Sequence, residues 1–283
     1  MNSKKIVLTV KDYSVSGEEF QLLYNEELQM LETFPQPNEE KLSEYYKSAD
    51  YISHTDAKRN LFERAYHLVR NIALRKKVKL INPLSDSSKK LLDIGCGTGD
   101  FLQEAKSKGW EVKGIEPNKD ARAIANSKTN NQVFDVDELL NFKENSFNVI
   151  TLWHVLEHLP KLNEQADLFK KLLKPNGALI IAVPNHKSFD AFYYKSFWAA
   201  YDVPRHLWHF SQASIKNLFQ RRKMEVAKTL PMKFDSYYVS ILSEKYKTGK
   251  MNFIKAFFIG LRSNIKAKSS GEYSSLIYVV KNK

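Results

Sequence analysis

From Lys89 to about Val183 the chain alternates between strand-like and helix-like runs, and few architectures can absorb that pattern. The apolar runs 91–94, 112–115, 132–134, 149–153 and 178–183 are nearly continuous, as strands covered on both faces are. Helical runs such as 101–107 and 163–173 lie between them. Strand–helix–strand repeats imply crossover connections, hence a parallel sheet with helices on both faces. The expected fold is therefore α/β and doubly wound. Beyond it the pattern predicts a helix at 211–222, a strand at 225–230, two helical stretches and a strand at 276–280.

Two additions precede this core. Residues 1–37 hold short apolar runs at 6–10, 20–24 and 28–31, separated by turn residues and ended by Pro35 and Pro37. They predict a small antiparallel β region. Residues 38–83 read as a helical extension: Asn38 is placed to cap it, and Leu61, Ala65, Leu68 and Ile72 recur at helical spacing until Asn82-Pro83. The remainder, 84–283, reads as the main domain.

A chain of 283 residues, 43% hydrophobic, can bury a core without staples. Its single cysteine, Cys96, excludes an internal disulfide and a cysteine-based zinc cluster, which suits a reducing compartment. No stretch approaches the ~20 apolar residues of a spanning helix and no cleavage signature follows the N-terminus, so the expected location is cytoplasmic. The net charge of +12 is scattered over the chain, which favours a solvated surface over a nucleic-acid site.

The turn after the first core strand carries the most chemistry: Asp93-Ile94-Gly95-Cys96-Gly97-Thr98-Gly99-Asp100. Alternate glycines let the backbone turn sharply and leave no Cβ between it and a ligand. The following helix aims free N–H groups at the same place. In a dinucleotide fingerprint, Gly-x-Gly-x-x-Gly, Asp100 would be the third glycine. A carboxylate there repels a pyrophosphate and suits an ammonium, such as the methionine end of S-adenosylmethionine, and Asp93 adds to that preference. Glu116, ahead of Pro117, closes the next strand, where a carboxylate can accept from both ribose hydroxyls. The competing reading is that Glu116 only caps the following helix.

Together, Asp-x-Gly-x-Gly-x-Gly, Glu116, Phe147-Asn148-Val149-Ile150 and Leu156-Glu157-His158 resemble the class I S-adenosylmethionine-dependent methyltransferases over about residues 89–210. Within them the chain is similar to the branch that includes the ubiquinone-biosynthesis O-methyltransferases. The resemblance implies a Rossmann-like, mostly parallel seven-stranded sheet, with S-adenosyl-L-methionine held by Asp93, Gly95, Cys96, Gly97, Gly99, Glu116, Pro117 and Trp153. It also implies an adenine contact at Asp135 and Val136, and a lid at about 186–211. The family has Asp where Asn148 stands, a departure confined to the start of a strand. The implied reaction is methyl transfer to an O or N acceptor on a small molecule. An RNA or protein methyltransferase is the alternative that the charge motivates, and a non-catalytic cofactor-binding protein is a third.

His154, Glu157 and His158 stand at i, i+3 and i+4, so one helical turn would put them on one face. Three readings stay open: His158 or His154 as general base, the three as metal ligands, or His158 as a structural residue that orients the loop. The similar segment of the ubiquinone-type enzymes is Glu-x-x-Glu-His; His154 replaces its first acid, which disfavours Mg²⁺, and no metal is assigned. Arg205 and His206 are the substrate-facing candidates of the aromatic-rich stretch 186–211. Relatives carry a zinc-binding Cys-x-x-Cys near residues 16–38, and here Tyr24 and Glu27 occupy those positions. By resemblance, the helix through 56–76 covers the cofactor site. Residues 247–268 mix basic residues with Phe253, Phe257, Phe258 and Leu261; packing of that apolar face onto the domain is expected, with a membrane surface as the rival.

Overall fold

The computed structural model describes residues 5–46, 72–85 and 88–283. Most of the expected N-terminal helical extension, including Leu61, Ala65 and Leu68, lies outside the described residues. Its end is helical over residues 72–81 (α2), and a shorter helix α1 (Glu39–Glu44) stands before it.

The expected doubly wound sheet is present. Strands β4 (Lys90–Ile94), β5 (Glu111–Ile115) and β6 (Val133–Phe134) extend it one way, and β7 (Phe147–Trp153) and β8 (Leu173–Pro184) the other. With β10 (Met224–Pro231) and β11 (Ser275–Asn282) the order is β10-β11-β8-β7-β4-β5-β6. Pairing is parallel from β8 to β6 and antiparallel where β11 joins β8 and β10. Successive residues point to opposite faces, so Leu92, Ile94, Ile150, Leu152, Leu179 and Ile181 share one core cluster, while Leu91, Val149, Ala178 and Ile180 share another. That two-sided burial is why these strands read as unbroken apolar runs. Helices α3 (Asp100–Ser107), α4 (Lys119–Thr129) and α5 (Leu162–Leu172) make the crossovers. The chain reverses its direction of winding between β4 and β7, and the crevice at that switch point is where ligands of such sheets bind.

Asn148 is buried, and its Oδ1 accepts from the Lys90 amide (3.0 Å), Ser88 Oγ (2.8 Å) and Lys174 Nζ (3.1 Å). A neutral amide oxygen thus ties β7 to the start of β4 where the family has a carboxylate.

The N-terminal strands β1 (Ile6–Lys11), β2 (Glu19–Asn25) and β3 (Met30–Phe34) form an antiparallel sheet, as the turn pattern predicts. The third begins two residues later than expected, because Asn25 Oδ1 accepts from the Leu28 amide and Gln29 takes a left-handed φ of +56°, which places 26–29 in the turn. The sheet's fourth strand, β9 (Trp208–His209), comes from the aromatic-rich stretch. That stretch packs as a wedge against the small sheet. Around its helix α6 (Phe189–Tyr194), Tyr194, Trp198 and Tyr201 pack against Val10, Phe20 and Leu22 of the small sheet. Buried Asp190 accepts from Trp198 Nε1 (2.7 Å), Ser263 Oγ (2.6 Å) and Ser274 Oγ (2.6 Å), binding the wedge to the C-terminal elements. Those elements are α7 (Gln212–Gln220), α8 (Asp235–Thr248) and α9 (Phe253–Ser270).

Candidate active site

The glycine turn lies at the carboxyl end of β4, and its three glycines are needed for different reasons. All have positive φ (+65°, +54° and +77° at Gly95, Gly97 and Gly99). A Cβ on Gly95 would stand 2.5 Å from Val155 Cγ2, and one on Gly99 would stand 2.9 Å from the Ala125 Cα in α4. At Gly97 it would meet nothing within 4 Å among the described residues, so on that side this glycine is open. Cys96 lies between them with its thiol turned inward, where burial pushes it up.

Glu116 closes the turn. One carboxylate oxygen accepts from the Gly97 amide (2.8 Å) and the other from the Asn118 amide (2.9 Å). Burial raises its pKa, and those two amides oppose the rise. The same carboxylate therefore holds the glycine turn and the approach to α4, so the capping reading is satisfied while the group stays at the crevice. Arg122 is a partner that sequence reading missed. It donates to the carbonyls of Glu116 and Pro117 and ion-pairs with Asp135 at 2.8 Å. Asp135 Oδ1 accepts from the Val136 amide at 2.7 Å, so in this structure that N–H serves a local cap.

Asp100 turns out differently from expectation. Its carboxylate pairs with Lys128 Nζ at 2.8 Å and accepts from Thr98 Oγ1 at 3.0 Å, because α4 brings a lysine beside the first turn of α3. It clamps two helices together instead of facing a ligand's ammonium.

Asp93 is buried at the end of β4 and accepts from Thr151 Oγ1 at 2.5 Å. Burial pushes it up to about 7, against the Thr151 bond and the charge of Lys77. Lys77, on α2, lies with its ammonium 4.2 Å from the centre of the Trp153 ring. Burial lowers its pKa, and Asp93 and Asp235 counter that. Trp153 in turn packs edge-on against Phe101, and its buried Nε1 has no hydrogen-bond partner among the described residues. Lys77 belongs to the basic run 75–79, which looks like an ordinary helix end in sequence; its cationic–aromatic placement has no signature there.

The segment after β7 forms a 3₁₀ turn, Leu156–His158. His154, at φ +59°, is gripped from both sides: Nδ1 lies 3.3 Å from Glu157 and Nε2 lies 3.1 Å from Asp235 of α8. Burial alone would lower its pKa, but Asp235 and Glu157 outweigh it and raise it to about 10. With both ring nitrogens held by carboxylates, the site favours the protonated ring over a general base. His158 is the opposite case. Burial and the neighbouring His206 lower it to about 4, so it is neutral. Its Nδ1 meets Tyr46 Oη at 3.0 Å and the Arg205 carbonyl at 3.1 Å.

His206 stacks edge-on against His158, ring centres 4.5 Å apart, and its Nδ1 donates to the Ala200 carbonyl at 2.9 Å. Arg205 is not substrate-facing. It is buried, donating to Asp202 (3.0 and 2.6 Å), Asp12 (3.3 Å), Ser14 and the Tyr45 carbonyl (3.2 Å). The wedge needs that tie to hold the β1–β2 turn.

Glu157, His158 and His206 offer ligand atoms that all lie within 4.8 Å of one another. The Glu157 carboxylate is buried, and among the described residues neither oxygen has a well-aligned hydrogen bond, His154 Nδ1 standing 3.3 Å from one of them. One carboxylate and two imidazoles suit a borderline transition ion better than Mg²⁺, which prefers oxygen.

The sequence profile of a family described as "Methyltransferase domain" matches residues 64–229, more than half of the chain. A ubiquinone biosynthesis O-methyltransferase of Nitrosococcus oceani is 32% identical over 111 residues, covering 37% of this chain and 47% of its own. One of the same name from Coxiella burnetii is 29% identical over 142 residues, covering 44% and 60%. The chain spans about half the length of the curated relatives it matches. Among solved structures, a SAM-dependent methyltransferase from Archaeoglobus fulgidus aligns with TM-score 0.53 at 19% identity, covering 78% of this chain and 98% of its own. Geranyl diphosphate C-methyltransferase from Streptomyces coelicolor aligns with TM-score 0.58 at 12% identity, covering 88% and 99%. These two likenesses are likenesses of fold.

Proposed function

Taking as premise that the chain belongs to the methyltransferase-domain family and is an S-adenosylmethionine-dependent methyltransferase, we propose that it methylates an oxygen or nitrogen of a small molecule at the crevice between β4 and β7. The observation that carries the reading is the pair of environments on one strand edge: a glycine turn open at Gly97 and braced by Glu116, and a neutral imidazole, His158, beyond β7.

The residues fit the donor. Gly97 faces space, Glu116 offers a buried carboxylate for ribose hydroxyls, and Asp135 and Val136 edge the adenine end. Asp93, Lys77 and the Trp153 ring would give the methionine end an acid, a cation and an aromatic wall. When bound, S-adenosylmethionine supplies a methyl group already activated on a sulfonium. The chain's own work is then to align the acceptor, exclude water and receive a proton. His158, unprotonated near pH 7, takes the proton that an acceptor hydroxyl or amine loses as its new bond to carbon forms. His154 holds the Glu157 carboxylate in place. The O-methyltransferase names of the relatives favour oxygen as the acceptor atom.

Labelled S-adenosylmethionine added with the enzyme to a cell extract tests the acceptor class. Label in the solvent-extractable fraction is expected. Label that nuclease or protease releases instead would replace this reading with the RNA or protein alternative.

A further inference from the structure

Helix α9 is amphipathic with its large side chains outward. The face packed on the protein is made of Ala256, Ile259, Gly260, Ser263 and Ala267, mostly small residues. They let α9 approach the start of α8 closely: a Cβ on Gly260 would stand 3.0 Å from the Tyr237 Cα, and Ser236 Oγ donates to the Gly260 carbonyl at 3.1 Å. The opposite face carries Ile254, Phe257, Phe258 and Ile265, at helical spacing, with Phe253 beside them. All are exposed, Ile254 by 74% and Phe258 by 61%. The sequence expectation that this apolar face packs on the domain is therefore reversed, because the small residues take the packing positions. Soluble chains seldom leave such a stripe uncovered.

The charge around the stripe selects its occupant. Residues 245–271 hold seven Lys and Arg and no Asp or Glu. Lys255, paired with Glu244 at 3.2 Å, and Arg262, over the Phe189 ring at 5.2 Å, flank the stripe on one side and Lys268 on the other. A second copy meeting the stripe by a two-fold axis would oppose these charges to themselves. An anionic surface with an apolar interior answers both features at once. No helix among the described residues is long and apolar enough to cross a membrane; α9 suits the plane of the interface.

We propose that the outer face of α9 docks the protein on anionic lipid bilayers, with Ile254, Phe257, Phe258 and Ile265 entering the acyl boundary and the surrounding lysines and arginine meeting lipid phosphates. The stripe continues toward the crevice, since Phe257 stacks on Tyr237, two residues from the Asp235 that grips His154. Docking thus brings the crevice close to the bilayer. The proposal rests on α9 alone and is read without methyl transfer.

Sedimentation of the full chain with vesicles tests it, using pure phosphatidylcholine against phosphatidylcholine containing one-third phosphatidylglycerol. Binding to the anionic vesicles is expected, at least tenfold stronger than to the neutral ones and weakened by raising salt. The double variant Phe257→Ser, Phe258→Ser should lose at least tenfold while keeping the wild-type circular dichroism spectrum and melting temperature. Arg262→Glu with Lys268→Glu should lose the anionic preference. Three results would overturn the proposal: no binding to the anionic vesicles, equal binding to both kinds, or unchanged binding by the serine variant. A dimer in sedimentation equilibrium that the serine variant turns into monomer would overturn it in favour of a second copy.

Discussion

Glu116 and His158 stand on the same strand edge but are expected to fail differently when removed. A hydrogen bond to a charged group contributes about 1.5–3 kcal/mol. Glu116→Ala should therefore weaken S-adenosylmethionine binding by roughly 10–100-fold in calorimetry. His158→Ala should leave that affinity intact and lower kcat, by about 10²-fold or more if it receives the acceptor's proton. Equal affinity for the Glu116 variant would end the ribose assignment. The positions of both at strand ends were legible, Glu116 after β5 and His158 just beyond β7. The state of His154 was not: its neighbour Glu157 is local, but Asp235 arrives from α8, and the second carboxylate helps convert a candidate base into a fixed cation. Asp100 misled for the same reason, its partner Lys128 being a helix away.

Among the elements, strands buried on both faces announced themselves, since β4, β7 and β8 are continuous apolar runs. The two-residue β9 carries too little pattern to be read, yet it joins the small sheet to the core. The orientation of α9 was hidden as well, because small and large residues both count as apolar in a periodicity. Arg205 is the wedge's main polar tie, and it appears in sequence only as a cation among aromatics. Arg205→Ala leaves the buried carboxylate of Asp12 and that of Asp202 without their cation, a loss of about 3–5 kcal/mol for a broken buried pair. Urea unfolding should show the midpoint falling with the slope unchanged, and a shift under 1 kcal/mol would mean the tie is dispensable.

For the whole molecule, stability should fall on both sides of neutrality. His158 and His186 are each lowered to about 4 by burial, and burial also holds His209 well below the usual imidazole value. Neutral in the fold and protonated when unfolded, they stabilise fully above their unfolded value near 6.5, and that stability is lost as pH falls through 4. Asp12, Glu157 and Asp202 add to the acid limb, since hydrogen bonds and nearby cations outweigh burial and hold them low. Asp93, raised to about 7 by burial, works in the opposite sense, being most favourable below its unfolded value and less so as pH rises through 7. His154 sets an alkaline limit, its contribution vanishing as pH passes about 10. Thermal melts from pH 4 to 10.5 should trace a maximum near neutrality, and a melting temperature that rises toward pH 4 would contradict the buried neutral imidazoles. Three hydrogen bonds link the small sheet to the histidine side of the crevice. The Thr33 amide donates to the Leu207 carbonyl, Thr33 Oγ1 donates to the His206 carbonyl, and the Leu207 amide donates to the Glu157 carbonyl. The glycine-turn side of the crevice is carried by β4, β5 and β6, whereas the histidine side leans on the N-terminal sheet, so a change in that small sheet would be felt at His158 and His206 before it reached Gly97.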